Sequence, residues 1–160
     1  QRSLMRLDEA PAFMRGFVQN IILRRAVPFT GTAGVQFVSL TPERVEVRLA
    51  NEHRVRNHIG SVHASAMNLL AETATGMAVG MNVRDDCLPL AKELSMAFKK
   101  RATGALKAVA TLTAEQRAAM QASDKGEVQV KVTVTDETGV EPVECAFTWA
   151  WVPSSRPAKN

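Results

Sequence analysis

The sequence predicts an α+β protein in which an antiparallel sheet wraps around one long central helix, with a further helix at the N-terminus. Three observations carry this. Residues 63–82 are the least polar stretch of the chain. They are built from Ala, Met, Leu, Gly and Thr without the β-branched density of a strand, and they are long enough to be helical. Runs on both sides of that stretch alternate apolar and polar residues with the period of a half-buried strand. A helix that is apolar nearly all round must be covered on most of its surface, and a sheet folded about it does so.

The first element is a helix. Asp8 can cap it, Pro11 suits its first turn, and Phe13, Phe17 and Ile21 recur at i, i+4 and i+8, with Met14, Val18 and Ile22 beside them. Arg24 and Arg25 fit its C-terminal end and Pro28 stops it. Residues 33–40 and 43–50 read as two strands about Thr41-Pro42, the second alternating strictly from Glu43 to Leu49. Residues 51–62 are polar and irregular and precede the long helix, on one face of which Gly76 and Gly80 permit close approach of a neighbour. Strands follow at 90–101 and 104–113, with Thr103-Gly104 between them as a hairpin-like turn. A short helix is expected over 114–123, where Thr113 and Gln116 have capping-box spacing. Val128, Val130, Val132 and Val134 mark the next strand, and Asp136-Glu137-Thr138-Gly139 a turn. Val143, Cys145, Phe147, Trp149 and Trp151 mark the last strand.

The 160 residues fit one domain, expected over 1–153, with a loose polar tail over 154–160. Hydrophobic residues at 46% and charged residues at 22% exclude disorder. A net charge of +4, with 5% aromatic residues and no Tyr, offers no stacking platform for nucleic acid. The central acid Glu72 and several polar side chains argue against a membrane span over 63–82. Cys87 and Cys145 form no disulfide framework, and no leader pattern opens the sequence, so a reducing, cytoplasmic setting is expected. His53, His58 and His63 recur every five residues without a zinc-ligand pattern around them, and no metal or other cofactor is expected.

One acid calls for an explanation. Glu72 lies within Leu69-Leu70-Ala71-Glu72-Thr73-Ala74, where an unpaired carboxylate is unfavourable and its pKa rises. Such groups are held in polar networks or serve as acid–base groups. His63 opens the helix and Asn57 lies in the loop before it. The first amides of a helix lack intrahelical acceptors and carry partial positive charge, so they can hold a developing oxyanion. A loop amide, helix-start amides and a carboxylate are the parts needed to polarise a carbonyl and attack it with water. His63 and Glu72 are nine residues apart, about 900° around the helix and about 13.5 Å along it, on opposite faces. A two-fold dimer would bring one subunit's Glu72 to the other's helix start, giving two equivalent sites.

Asn57-His58-Ile59-Gly60-Ser61-Val62-His63 followed by Glu72 resembles the signature of hotdog-fold acyl-CoA thioesterases, most closely the phenylacetyl-CoA and aryl-CoA branch. The resemblance runs on through Glu93-Leu94-Ser95-Met96-Ala97-Phe98, the Gly104 turn and Thr135-Asp136-Glu137-Thr138-Gly139, covering about residues 33–152. It implies a hotdog fold and hydrolysis of an acyl-CoA or acyl-carrier thioester by a homodimer or a dimer of dimers. It also implies roles. Asn57 would orient the thioester carbonyl or the water, the Ala64 N–H would be the oxyanion donor, and His63 would help position the thioester. Glu72 of the partner subunit would be general base or nucleophile. Gly60, Ala64 and Ser65 would line the thioester slot, and Lys99, Lys100 and Arg101 would meet the CoA phosphates. Two features depart from the family. Ala64-Ser65 stands where the family has Gly-Gly, and a short helix near 114–123 replaces a Gly-Arg stretch. The Pro-Gly context of hotdog dehydratases is missing. The Ala64-Ser65 change leaves open a second reading, a non-catalytic acyl-binding protein of the same fold.

Overall fold

The structure, a computed structural model, describes residues 12–154, the first four by backbone alone. Asp8 and Pro11, the side chains of Phe13 and Met14, and the expected tail beyond Ser154 lie outside the described residues. Helix α1 (Ala12–Ala26) and the short α2 (Pro28–Ala33) lead into strands β1 (Gln36–Leu40) and β2 (Arg44–Leu49). A 3-10 turn (His53–Val55) precedes the central helix α3 (Ala64–Asn82), after which come β3 (Cys87–Phe98) and β4 (Leu106–Thr111). Helix α4 (Ala114–Ala122), β5 (Gly126–Asp136) and β6 (Val143–Pro153) complete the fold.

The six strands form one antiparallel sheet in the order β1-β2-β4-β5-β6-β3. Helix α3 packs against β2, β3, β4, β5 and β6, the sheet wrapped around a helix that the sequence predicts. The alternation in each strand sends one set of side chains to that helix. Val45, Val47 and Leu49 of β2 are buried, as are Leu106, Ala108 and Ala110 of β4 and Phe147, Trp149 and Trp151 of β6. Leu70, Ala71, Ala74 and Val79 of α3 meet them, each inaccessible to solvent. Gly76 lets the sheet come this close. A Cβ there would sit 2.7 Å from the Trp149 ring, whose indole N–H donates to the Thr75 hydroxyl at 2.9 Å. The capping box of α4 forms as expected, with the Gln116 N–H donating to the Thr113 hydroxyl and the Thr113 N–H donating to the Gln116 side chain.

Two expectations are corrected, at Thr103-Gly104 and at Pro28. The Thr103-Gly104 turn does not make a hairpin, because β3 pairs with β6 at the sheet edge while β4 lies between β2 and β5. The twelve residues of β3 find a partner of matching length in β6, in a register that sets Leu94 opposite Phe147. The turn is real, with Gly104 at φ +70° and the Thr103 N–H donating to the Asp136 carboxylate at 2.9 Å, but a local turn signal says only that the chain reverses. In α1, Phe17 is 70% and Ile21 37% exposed, while Leu23 packs against the core. That helix also docks through polar groups. The Asn20 amide brackets the backbone of Phe37 at 2.8 and 3.0 Å, and Arg24 Nε donates to the Val35 carbonyl at 2.7 Å. Finally, Pro28 does not only end α1. It also begins α2, where its missing N–H is harmless, and Gly34 closes that helix at φ +81°, so β1 starts at Gln36 rather than at residue 33.

Candidate active site

The start of the central helix is fixed by its own sequence. His63 is the N-cap, and its Nδ1 accepts the Ser65 N–H at 3.0 Å. This bond leaves Nε2 as the ring's other edge. The Ala66 and Met67 N–H groups both donate to the His63 carbonyl, at 2.9 and 3.0 Å. Of the first four helix amides, only that of Ala64 has no acceptor among the described residues. It is the amide to which the family resemblance would give the role of oxyanion donor.

The loop before the helix is built around Asn57. Its side-chain oxygen accepts the N–H groups of Ile59 and Ser61, both at 3.1 Å, and its carbonyl accepts the Gly60 N–H at 3.1 Å. Gly60 takes φ +79°, a conformation that favours glycine, so the turn depends on that residue. With Oδ1 committed to the loop, Nδ2 is the end of the Asn57 amide left for other work, and it is a donor. Asn57 and Ala64 line one cavity of about 160 Å³, with Met67, Phe98 and Lys100 on its walls. The two residues that carry uncommitted N–H donors therefore border a single space.

The basic run divides by role. Lys99 lies 3.4 Å from the Glu144 carboxylate. Arg101 donates to the Ile59 carbonyl at 2.7 Å and to the Ser61 hydroxyl at 3.2 Å, which ties the Asn57 loop to the end of β3. Lys100 shares the cavity of Asn57 and Ala64, and its side chain has no ion-pair partner among the described residues.

Glu72 stands apart, two and a half turns along α3. It lines a second cavity of about 200 Å³ with Leu23, Val27, Phe37, Met77, Pro89 and Trp149. Burial alone holds its carboxyl above the usual glutamate range, and no cation pairs with it among the described residues. His63 and Ser65 line a third cavity, of about 230 Å³, bordered by Phe29, Arg54 and Arg56. Within one chain, then, the structure brings Asn57 to Ala64 but sets His63 and Glu72 on cavities of their own. Sequence reasoning missed the apolar walls around Glu72. One signal for them was present, since a glycine on a buried helix and a tryptophan on the last strand are complementary in size. The contributions of Leu23, Val27 and Phe37 come from elements remote in sequence and had no local signal. Among the described residues, no cluster of His, Cys, Asp and Glu is arranged to hold a metal, and no helix is long and apolar enough to cross a membrane.

The sheet edge near this site is apolar. Leu88, Leu90, Leu94 and Phe98 of β3 are 46–56% exposed, and β3 has a strand neighbour on one side only.

Residues 17–152 match a family described as Domain of unknown function (DUF4442). A search of curated proteins finds no match. Solved structures are similar over most of the chain. One, a Pseudomonas aeruginosa protein described as of unknown function and a probable thioesterase, is 25% identical. It superposes with a TM-score of 0.77 over 86% of this chain and 95% of its own. A thioesterase from Haemophilus influenzae is 13% identical, with a TM-score of 0.71 over 88% of this chain and 94% of its own. A mutant thioesterase from Pseudomonas aeruginosa is 17% identical, with a TM-score of 0.70 over 92% of this chain and 98% of its own. The fold is the hotdog fold shared by these thioesterases.

Proposed function

The chain belongs to the family described as Domain of unknown function (DUF4442), and from that premise we propose that it hydrolyses an acyl-CoA thioester at a site shared by two copies of the chain. One observation carries the reading. Asn57 and Ala64, which carry the two uncommitted donors, border one cavity, while the half-buried Glu72 of the same helix lines another. Two donors that can hold an oxyanion and a base that can activate water are both present, and within one chain they do not meet. An isologous partner docked on the apolar edge of β3 would supply each subunit's donors with the other's Glu72. The thioesterases with which the chain shares its fold support the same chemistry.

The steps follow from these roles. The thioester oxygen accepts hydrogen bonds from the Ala64 N–H and Asn57 Nδ2. Glu72 of the partner chain takes a proton from water, and the hydroxide adds to the carbonyl carbon. The negative charge moves to the oxygen held by the two donors, which are fixed before it forms. As the C–S bond breaks, the sulfur leaves as a thiolate and takes the proton back from Glu72, giving a carboxylic acid and free CoA. Burial lifts the Glu72 carboxyl toward the range in which a general base works near neutral pH. His63 holds the helix start in shape through Nδ1. Lys100, beside the donors, suits a phosphate of the CoA arm.

The test is thiol release from a panel of acyl-CoAs by wild type and Glu72→Gln. The substitution keeps volume and hydrogen bonding but removes basicity. A loss of about 10²–10⁴ in kcat with little change in KM is expected. Hydrolysis that Glu72→Gln leaves unchanged removes Glu72 from the mechanism. The second reading, an acyl binder without turnover, is favoured by one feature: Ala64 places a methyl at the helix start where the resembling family has glycine. It predicts binding but no thiol release from any acyl-CoA, whereas an obstructing methyl in a working enzyme predicts a faster Ala64→Gly variant.

A further inference from the structure

The cavity around Glu72 has a composition that the reaction does not explain. Its walls are Leu23, Val27, Phe37, Met77, Pro89 and Trp149, and apart from Glu72 the only polar residues on it are Thr30 and Thr73. Both hydroxyls are committed to backbone carbonyls, Thr30 to Val27 at 2.7 Å and Thr73 to Leu69 at 2.6 Å. Among the described residues, no Lys, Arg or His borders it. One wall is the Trp149 ring, which is held by its indole N–H to Thr75 and packed against Gly76, so that wall is rigid. Another comes from the end of α1 and the start of α2, which the sequence places more than forty residues before Glu72.

We propose that this cavity receives the acyl group of the thioester, and that it selects an uncharged apolar acyl chain about the size of a six-carbon tail or a single ring. The inference rests on the thioesterase reading for the identity of the ligand's other end, the CoA thioester, but not for the chemistry of the pocket. A cavity of about 150 Å³ with apolar walls holds a benzene molecule, and this one, at about 200 Å³, is slightly larger. An acyl chain of sixteen carbons exceeds it. A dicarboxylic acyl group would bring a second carboxylate beside Glu72 into a space with no cation among the described residues to receive it. Glu72 lies on the wall, so an acyl group seated here has its carbonyl carbon at the carboxylate. Trp149 and Met77, which line the space the acyl group would fill, are thus specificity-determining residues.

The experiment measures affinity rather than turnover, so that it stands apart from hydrolysis. Non-hydrolysable thioether analogues of hexanoyl-, hexadecanoyl- and succinyl-CoA, and CoA alone, are titrated into the full chain by calorimetry, with tryptophan emission as a second readout. The hexanoyl analogue is expected to bind about tenfold or more tightly than the other three, and to change the Trp149 emission where CoA alone does not. Met77→Trp, which fills the cavity, is expected to remove about tenfold of that preference and leave the affinity for CoA unchanged. Val27→Asp, at a 48%-exposed position on the cavity wall, carries the same test should Met77→Trp fail to fold. Equal affinity for all three acyl analogues, or a hexanoyl preference that neither variant alters, overturns the assignment. Absence of hydrolysis with the ranking intact overturns the enzymatic reading and leaves the acyl pocket standing.

Discussion

The Glu72 carboxyl is held above the ordinary glutamate range by burial, with no cation beside it among the described residues, and this has two separable consequences. The first concerns activity. A general base must be deprotonated, so kcat/KM is expected to rise with pH as one proton is lost, with a midpoint above that of an exposed glutamate. A pH–rate profile checks this, and a midpoint at the exposed value refutes the buried base. The second concerns stability. Below the unfolded-state pKa both states hold the proton and Glu72 costs nothing. Between the unfolded pKa and the raised folded one, the folded chain keeps a proton that the unfolded chain has lost, so stability falls as pH rises through that window. Above the window the desolvation penalty stands in full. Glu72→Gln, which never ionises, is therefore expected to raise Tm relative to wild type more at pH 8 than at pH 4 by thermal denaturation. An equal difference at both pH values contradicts the shift. Asn57 and Ser65 show how much of a site a residue name can hide. The oxygen of Asn57 and the amide of Ser65 are both spent on local structure, and what remains for a ligand is one NH₂ group and the Ala64 amide.

At the level of elements, the contact of α3 with β6 organises both the core and the proposed acyl pocket. Gly76 is required by space rather than by backbone angle, because a Cβ there would lie 2.7 Å from the Trp149 ring, and that ring is anchored by a buried hydrogen bond. Gly76→Ala is expected to destabilise the fold by about 1–3 kcal/mol as overpacking, against a helix-propensity gain of under about 1 kcal/mol. Chemical denaturation measures the sum, and a net stabilisation would show that Trp149 can move aside. A Cβ at Gly80, four residues on, would make only an ordinary contact, 3.9 Å from Pro89, so the two glycines that the sequence presents as a pair are unequal. The N-terminal elements show what a periodic pattern leaves out. The stripe Phe17–Ile21 is apolar, yet the helix also docks through Asn20 and Arg24 because these satisfy backbone groups at the start of β1, at its sheet edge.

At the level of the whole molecule, the proposed site is a property of two chains. Mixing inactive Glu72→Gln with inactive Asn57→Ala subunits, after co-expression or refolding together, should restore about a quarter of wild-type activity, since half of the dimers are mixed and each carries one intact site. No recovery with confirmed mixed dimers would place the whole site within one chain. Much of this architecture was legible in the chain itself. The apolar length of 63–82 announced a buried helix, the alternation of Val45–Leu49 and Phe147–Trp151 announced half-buried strands, and Thr113 with Gln116 announced the capping box of α4. The helix start was legible too, because an N-cap and its first amides are fixed by neighbours within four residues. Each of these signals is local, carried by a period or a spacing within one element. What only the tertiary structure decided is non-local. The partner of β3 is β6 and not β4, because strand pairing is settled by total buried area and register over the whole sheet, while a turn motif specifies only a reversal. The apolar walls about Glu72 likewise join Leu23, Phe37, Met77 and Trp149 across more than a hundred residues of chain, a juxtaposition that no spacing in the sequence encodes and that packing around one helix creates.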